Sequence, residues 1–379
     1  MLTRHRTILL FIAALVFFTL SAPASALAQS GRTAPRPTPT PQEREPQEPI
    51  RVFTEEVRLP IFVTDSYGRF DPTLELNDII VLEDDEMQEV RSVRRIPANV
   101  LLVLDTSGGI NPMMRTNTTR AVALAIVSAL KTGDQLAVIQ AGDRVETLQD
   151  WTTDTESLRR VLKTKLSSGR KKRISESLIE AARQLKNQPT GSRQVVLVTD
   201  GVEPNDRSYI EAVRQLIAAQ ATVYVISYTA MGREAIKNNA PLVTYGGPPP
   251  RTANDVAKEA DPSIPVPRPN INVATIDTDR EMRRKRKEYS DATLRSEERL
   301  TVLAEETGGR IMLPMSEEEM LRQGREVARD IGAQYVVTYK PKRALSASAP
   351  GEFRRIKVAL RRQGLTVRSR NGYTVPAQQ

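Results

Sequence analysis

The stretch Asn99-Val100-Leu101-Leu102-Val103-Leu104-Asp105-Thr106-Ser107-Gly108-Gly109 decides the fold. Its apolar run has no polar alternation, as expected of a strand covered on both faces within a parallel sheet. The run stops abruptly at a carboxylate, a hydroxyl and two glycines. A second stretch repeats this grammar, Val195-Val196-Leu197-Val198-Thr199-Asp200-Gly201. Between and beyond these strands the pattern alternates strand and helix. A helix is expected over about 116–130, strands over 135–140 and 145–147, and a helix start at Thr153-Asp154-Thr155-Glu156. Further helices are expected over about 175–187 and 207–219, and a strand over 222–227 after the second of them. The expected architecture is α/β, a doubly wound and mostly parallel sheet.

Working outward, the flanks read as β. Runs at 51–59, 61–64, 79–82 and 89–93 precede the apolar strand, with turn signals at Asp65-Ser66-Tyr67-Gly68 and Asp84-Asp85. Runs at 334–340, 353–360 and 365–370 follow the last helix, which starts at the capping box Ser316-x-x-Glu319. Each flank makes half a sandwich, so a discontinuous β-sandwich-like domain from both chain ends is expected. Trp151, Tyr335, Tyr339 and Tyr373 are expected in cores.

The expected organisation is a signal peptide at 1–28, a Pro-rich linker at 29–49, the first β-half at 50–98, the α/β domain at 99–332 and the second β-half at 333–376. Arg4 and Arg6, the apolar run from Ile8 to Leu20 and the small-residue site Ala26-Leu27-Ala28 define an export signal, so a periplasmic or secreted protein is expected. Six of the 25 prolines fall in 30–49 and eight in 231–291, a Pro-rich interruption of the α/β domain expected to lack regular structure. That interruption contains Arg283-Arg284-Lys285-Arg286-Lys287, read either as a solvated helix start or as a contact for anionic surface polymer or lipid. The formal charge is +9, but an exported chain disfavours nucleic acid as partner.

The chain has no Cys, and its one His is His5, inside the export signal. Catalysis by Ser-His-Asp or Cys-His, thiolate chemistry and the usual zinc sites are therefore excluded from the mature protein. Carboxylate and oxygen-ligand chemistry remain. Asp105 and Asp200 end strands of an open α/β sheet, where ligand crevices form. Two carboxylates about 4 Å apart repel by roughly 4 kcal/mol at an effective dielectric of about 20, so a cation is expected between them. Mg²⁺ or Mn²⁺ would suit these oxygens, with Ser107 contributing its hydroxyl. Helix and turn capping by Asp105, Ser107 and Asp200 is the alternative.

At this point the sequence resembles the von Willebrand factor type A family, and more narrowly its exported bacterial branch first described from Acidobacteria. The resemblance rests on 99–108, on Gly133-Asp134-Gln135-Leu136-Ala137-Val138, on 195–201 and on Ala304-Glu305-Glu306-Thr307-Gly308-Gly309-Arg310. The flanks add Val63-Thr64-Asp65-Ser66-Tyr67-Gly68, Gln334-Tyr335-Val336-Val337-Thr338-Tyr339 and Arg368-Ser369-Arg370-Asn371-Gly372-Tyr373. It implies a protein ligand and a metal-ion-dependent adhesion site built on Asp105, Ser107 and Asp200. That site departs from the family pattern, with Gly109 where a second Ser belongs and Lys172 at the position of a Thr. Lys172 lies within Arg170-Lys171-Lys172-Arg173. Two readings follow: a weakened Mg²⁺ or Mn²⁺ site completed by water or by Ser167 or Ser168, or a basic side chain from 170–173 in the cation position. The Coulomb term that draws an ammonium to the aspartates also repels a divalent ion, which favours the second.

The expected function is an exported, non-enzymatic protein that mediates protein–protein recognition or adhesion through this crevice. A metal-independent structural envelope module and a metal-dependent hydrolase are the alternatives.

Overall fold

A computed structural model describes residues 55–107, 112–201, 206–237 and 280–375. Strands β1 (Val57–Asp65), β2 (Ile79–Glu83), β3 (Glu86–Gln88) and β4 (Val90–Arg94) come first. The apolar run forms β5 (Asn99–Asp105) and leads into α1 (Pro112–Ala129), β6 (Gln135–Ala141) and β7 (Val145–Thr152). Next come α2 (Thr155–Thr164), α3 (Ile174–Leu185), β8 (Arg193–Thr199), α4 (Asp206–Ala218) and β9 (Thr222–Ser227). After α5 (Thr229–Lys237), α6 (Arg280–Glu306), β10 (Ile311–Met312) and α7 (Glu317–Gly332), the chain ends in β11 (Tyr335–Tyr339), β12 (Phe353–Leu360), β13 (Leu365–Ser369) and β14 (Gly372–Thr374).

The central sheet has the order β10-β9-β8-β5-β6-β7. Every neighbouring pair is parallel except β6 with β7. Both faces of β5 are covered, which explains its unbroken apolar run. Val100, Leu102 and Leu104 pack with Val122 and Ile126 of α1, Leu158 and Leu162 of α2, and Val327 and Ile331 of α7. Leu101 and Val103 pack the other way, with Leu178 and Leu185 of α3, Leu216 of α4 and Leu300 and Leu303 of α6. All five strand residues are fully buried, and each buried aliphatic side chain contributes about 1.5–3 kcal/mol. After β5 the chain winds to β6 on one side and later returns to β8 on the other. The switch in strand order therefore falls between β5 and β8, so their carboxyl ends flank the crevice where such sheets bind ligands.

Two four-stranded sheets, β13-β1-β11-β4 and β14-β12-β2-β3, combine strands from both chain ends. In the first sheet β1 pairs antiparallel with β11 and β13, and in the second β2 pairs with β12. Leu59, Ile61, Val63, Val81, Val337, Tyr339, Ile356 and Tyr373 form their shared core. Within it Arg354, fully buried, donates to Glu83 Oε1 at 2.7 Å, while Tyr339 and Tyr373 donate to Glu83 Oε2. The sequence suggests a break at Pro60, yet β1 runs through it. Pro60 faces Val336 of β11, whereas pairing with β13 begins only at Ile61, so the missing N–H falls where no β13 partner exists.

The expected interruption at 231–291 is corrected at both ends. Residues to Lys237 complete α5, and α6 begins at Arg280, inside that interval. The extra turns are rich in Arg, Lys and Glu, which hold a helix through high propensity and pairs such as Arg284–Glu288 without an apolar face. The expected signal, linker and residues 238–279 lie outside the described residues. No helix among the described residues is long and apolar enough to cross a membrane.

Candidate functional site

Asp105 ends β5 completely buried. Its Oδ1 accepts from the Ser107 backbone N–H at 2.9 Å and the Ser107 hydroxyl at 2.5 Å, and its Oδ2 accepts from the Thr199 hydroxyl at 2.6 Å. Burial, and then the nearby Asp200 charge, push its carboxyl above the ordinary aspartate range against the pull of those hydroxyls.

Asp200 follows β8 and is 1% exposed. Lys172 Nζ donates to its Oδ1 at 2.9 Å and its Oδ2 at 3.0 Å, and Arg115 Nη1 donates to Oδ2 at 2.6 Å. Burial alone would raise this carboxyl. The charges and hydrogen bonds of Arg115 and Lys172 more than offset it and hold Asp200 below the usual range. Burial likewise opposes the Arg115 charge, but Asp200 and then Asp105 raise it overall. The backbone is fixed as well: the Ser296 hydroxyl of α6 donates to Asp200 O at 2.8 Å, and the Gly201 N–H donates to the Thr199 hydroxyl at 2.8 Å. Gly201 has φ +64°, and a Cβ there would lie 2.3 Å from Ser296 Oγ, so glycine is required on both counts.

The basic loop is tied down at its start. Gln140 on β6 exchanges hydrogen bonds with the Ser167 backbone and touches its hydroxyl, so Ser167 does not reach the aspartates. Gly169 bridges to Ser107, and the backbone N–H groups of Arg170 and Lys171 donate to Asp143 Oδ1 at 2.7 and 3.1 Å. Arg173 turns to Glu176. Lys172 is thus the member of the run placed on Asp200. Gly109 lies outside the described residues, as do the side chains of Arg283 and Lys285. Arg284 and Lys287 are exposed on the first turns of α6, and Arg286 is half-buried there.

Arg115, one turn into α1, is the site residue that the sequence reading missed. Its guanidinium also donates to Ser107 O at 3.3 Å, lies 5.4 Å from the Tyr228 ring centroid and has Tyr289 of α6 beside it. A cation in the first turn opposes the helix dipole, and that is the one available hint that it serves a carboxylate from elsewhere.

Type A domains often bind a divalent metal, but the residues here do not fit one. Asp200 is engaged by two cationic groups, both Asp105 oxygens accept from hydroxyls, and no cluster of three or more metal-ligating side chains occurs among the described residues. An added divalent ion about 4 Å from either cation would be repelled by about 8 kcal/mol at an effective dielectric of about 20.

A mostly parallel sheet covered by helices on both faces, with carboxylates at its switch point, defines a Rossmann-like α/β fold. Residues 99–260 match the model of the von Willebrand factor type A domain, and the chain carries such a domain. Among solved structures, the chain is similar to BatB from Bacteroides thetaiotaomicron, at 23% identity over 34% of this chain and 66% of that one, with a TM-score of 0.30. It is also similar to an aerotolerance-related membrane protein from Bacteroides fragilis, at 17% identity over 62% of this chain and 98% of that one, TM-score 0.39. A third is a von Willebrand factor type A protein from Catenulispora acidiphila, at 10% identity over 86% and 74%, TM-score 0.39. No curated protein matches.

Proposed function

We propose that the chain is an exported binding protein whose type A domain mediates protein–protein recognition or adhesion at the crevice of Asp105, Ser107 and Asp200, a partly degenerate form of a metal-ion-dependent adhesion site. Type A domains are generally non-enzymatic interaction modules, and this chain supplies neither His nor Cys beyond His5 to act as base or nucleophile. In this organisation 50–98 and 333–376 form one β-domain that holds the type A domain, 99–332, behind a Pro-rich tether and an export signal. The observation that carries the reading is the meeting of the β5 end, the 167–173 loop and the β8 end around two buried carboxylates, Asp105 and Asp200.

The test is capture of a defined envelope protein by immobilised full-length chain, with and without chelator. Capture is expected from wild type and is expected to be lost in Lys171→Glu, which reverses an exposed charge at the crevice rim. Equal capture by both proteins overturns the reading.

A further inference from the structure

The groups that a partner can reach at this crevice are not its carboxylates. Asp105 and Asp200 are 0% and 1% exposed, whereas the side chains of Arg115 and Lys172 are 13% and 21% exposed. Among the described residues Asp200 is the carboxylate that accepts from both cations, while Asp105 is turned to the Ser107 and Thr199 hydroxyls. Two positive charges therefore meet one carboxylate. An ammonium has three N–H donors, and among the described residues Lys172 places two of them on the Asp200 oxygens and the third on no other acceptor. Arg170 and Lys171 add exposed positive charge beside it, with their backbone already fixed to Asp143. This is a preformed cationic seat: Asp200 holds the pair in place at no cost to a ligand, and the outer edge of the pair is left for a second acid.

We infer that Arg115 and Lys172 together take the place of a divalent ion and receive a carboxylate from an acidic segment of a partner protein, without metal. The inference rests on the recognition role proposed above and names the chemistry of its partner. A guanidinium beside an ammonium suits a carboxylate, which can accept from both at once. The flanking Arg170 and Lys171 favour a segment with several acidic residues over a single one.

The experiment uses the full chain in EDTA and measures fluorescence anisotropy of a short labelled oligoglutamate peptide, with oligoglutamine and oligogalacturonate as the other arms. Oligoglutamate is expected to bind and oligoglutamine not to. Added Mg²⁺ or Mn²⁺ is expected to leave the affinity unchanged, and Lys172→Gln to weaken it about tenfold, the worth of one charged hydrogen bond. Because Lys172→Gln disturbs a buried pair, Arg170→Gln combined with Lys171→Gln provides a second test on exposed side chains. That double variant is expected to keep the wild-type melting curve, lose severalfold in affinity and show a shallower salt dependence. Binding that appears only with Mn²⁺, equal binding of oligoglutamine, preference for oligogalacturonate, or affinity unmoved in the double variant would each overturn the inference. A partner captured through the crevice that oligoglutamate does not displace leaves the recognition role standing and refutes this one. Oligoglutamate binding with no crevice-dependent capture does the reverse.

Discussion

Replacing Arg115 with Gln tests whether the cation pair is a structural requirement of the crevice. Breaking a buried ion pair by removing one partner costs about 3–5 kcal/mol, because the surviving charge is left uncompensated. Here Asp200 is 1% exposed and would keep Lys172 at 2.9 and 3.0 Å, so about half of that cost, roughly 2 kcal/mol, is expected from the lost charge. Loss of the guanidinium over the Tyr228 ring adds about 0.5–1 kcal/mol. The expected total is about 2.5–3 kcal/mol. Urea unfolding followed by Trp151, the single tryptophan and half-buried against the α3 and α4 side of the sheet, reads it directly. A double-mutant cycle with Asp200→Asn should show coupling of at least about 1 kcal/mol, since without the charge the guanidinium loses its partner. The pH dependence has a fixed sign. Asp200 is held below its unfolded value, so its stabilisation is present above that value and is lost as pH falls through the folded one; weakening the pair moves this acid limb to higher pH. A loss below about 0.5 kcal/mol with no coupling would show that Arg115 is a surface charge and that the crevice holds Asp200 by other means.

Asp105 titrates in the opposite sense. Its carboxyl is raised by burial, so the folded state holds the proton more tightly and stability falls as pH rises from the unfolded value through the folded one. Asp105→Asn should flatten that part of a melting-temperature profile; an unchanged profile would refute the raised carboxyl. Gly201→Ala should cost about 2–3 kcal/mol, from positive φ together with a Cβ 2.3 Å from Ser296 Oγ and 2.5 Å from Leu300 Cδ1. Gly68→Ala, at φ +74° with nothing within 4 Å, should cost only about 1 kcal/mol, and equal losses in chemical denaturation would remove the steric argument. Arg354→Met should lose about 3–5 kcal/mol and Arg354→Met with Glu83→Gln appreciably less, because the second change removes the stranded charge; a double variant as unstable as the single one would contradict this.

The parts of this molecule legible in the sequence are those whose signal is local. The run 100–104 reads as a doubly covered strand because each of its residues has an apolar layer to enter, and Asp105 and Asp200 read as site residues because a sheet of this kind places strand ends there. Lys172 is reachable through the resemblance to the type A family, because Glu176-Ser177-Leu178 matches the family's start of this helix and so places the loop ahead of it. Arg115 is not, because the reach of a long side chain from a helix turn to a loop 85 residues away leaves no periodicity. The first turns of α6 are legible only as one of two readings of the run 283–287: apolar spacing is the usual helix signal, and these turns rest on charged residues with high propensity.

The same geometry limits how binding at the crevice could be relayed to the rest of the protein. Helix α7 ends at Gly332 and β11 starts at Tyr335, an inner strand bonded on both sides by β1 and β4. At the helix end Asp330 faces Arg310 at 2.9 Å and Arg368 of β13 at 3.7 Å. Gly308 lies so close to the Ser369–Arg370 backbone that a Cβ would approach Arg370 N to 2.5 Å. Sliding α7 along its axis would pull β11 out of register with two neighbours, breaking several backbone hydrogen bonds at a net cost of about 1 kcal/mol each and stranding buried donors. A permanently paired Lys172 and Arg115 would supply no compensating change in charge, as gain or loss of a metal would. The expectation is a crevice whose shape does not depend on a shift of α7, because β11 and the contacts of Asp330 and Gly308 hold that helix in place.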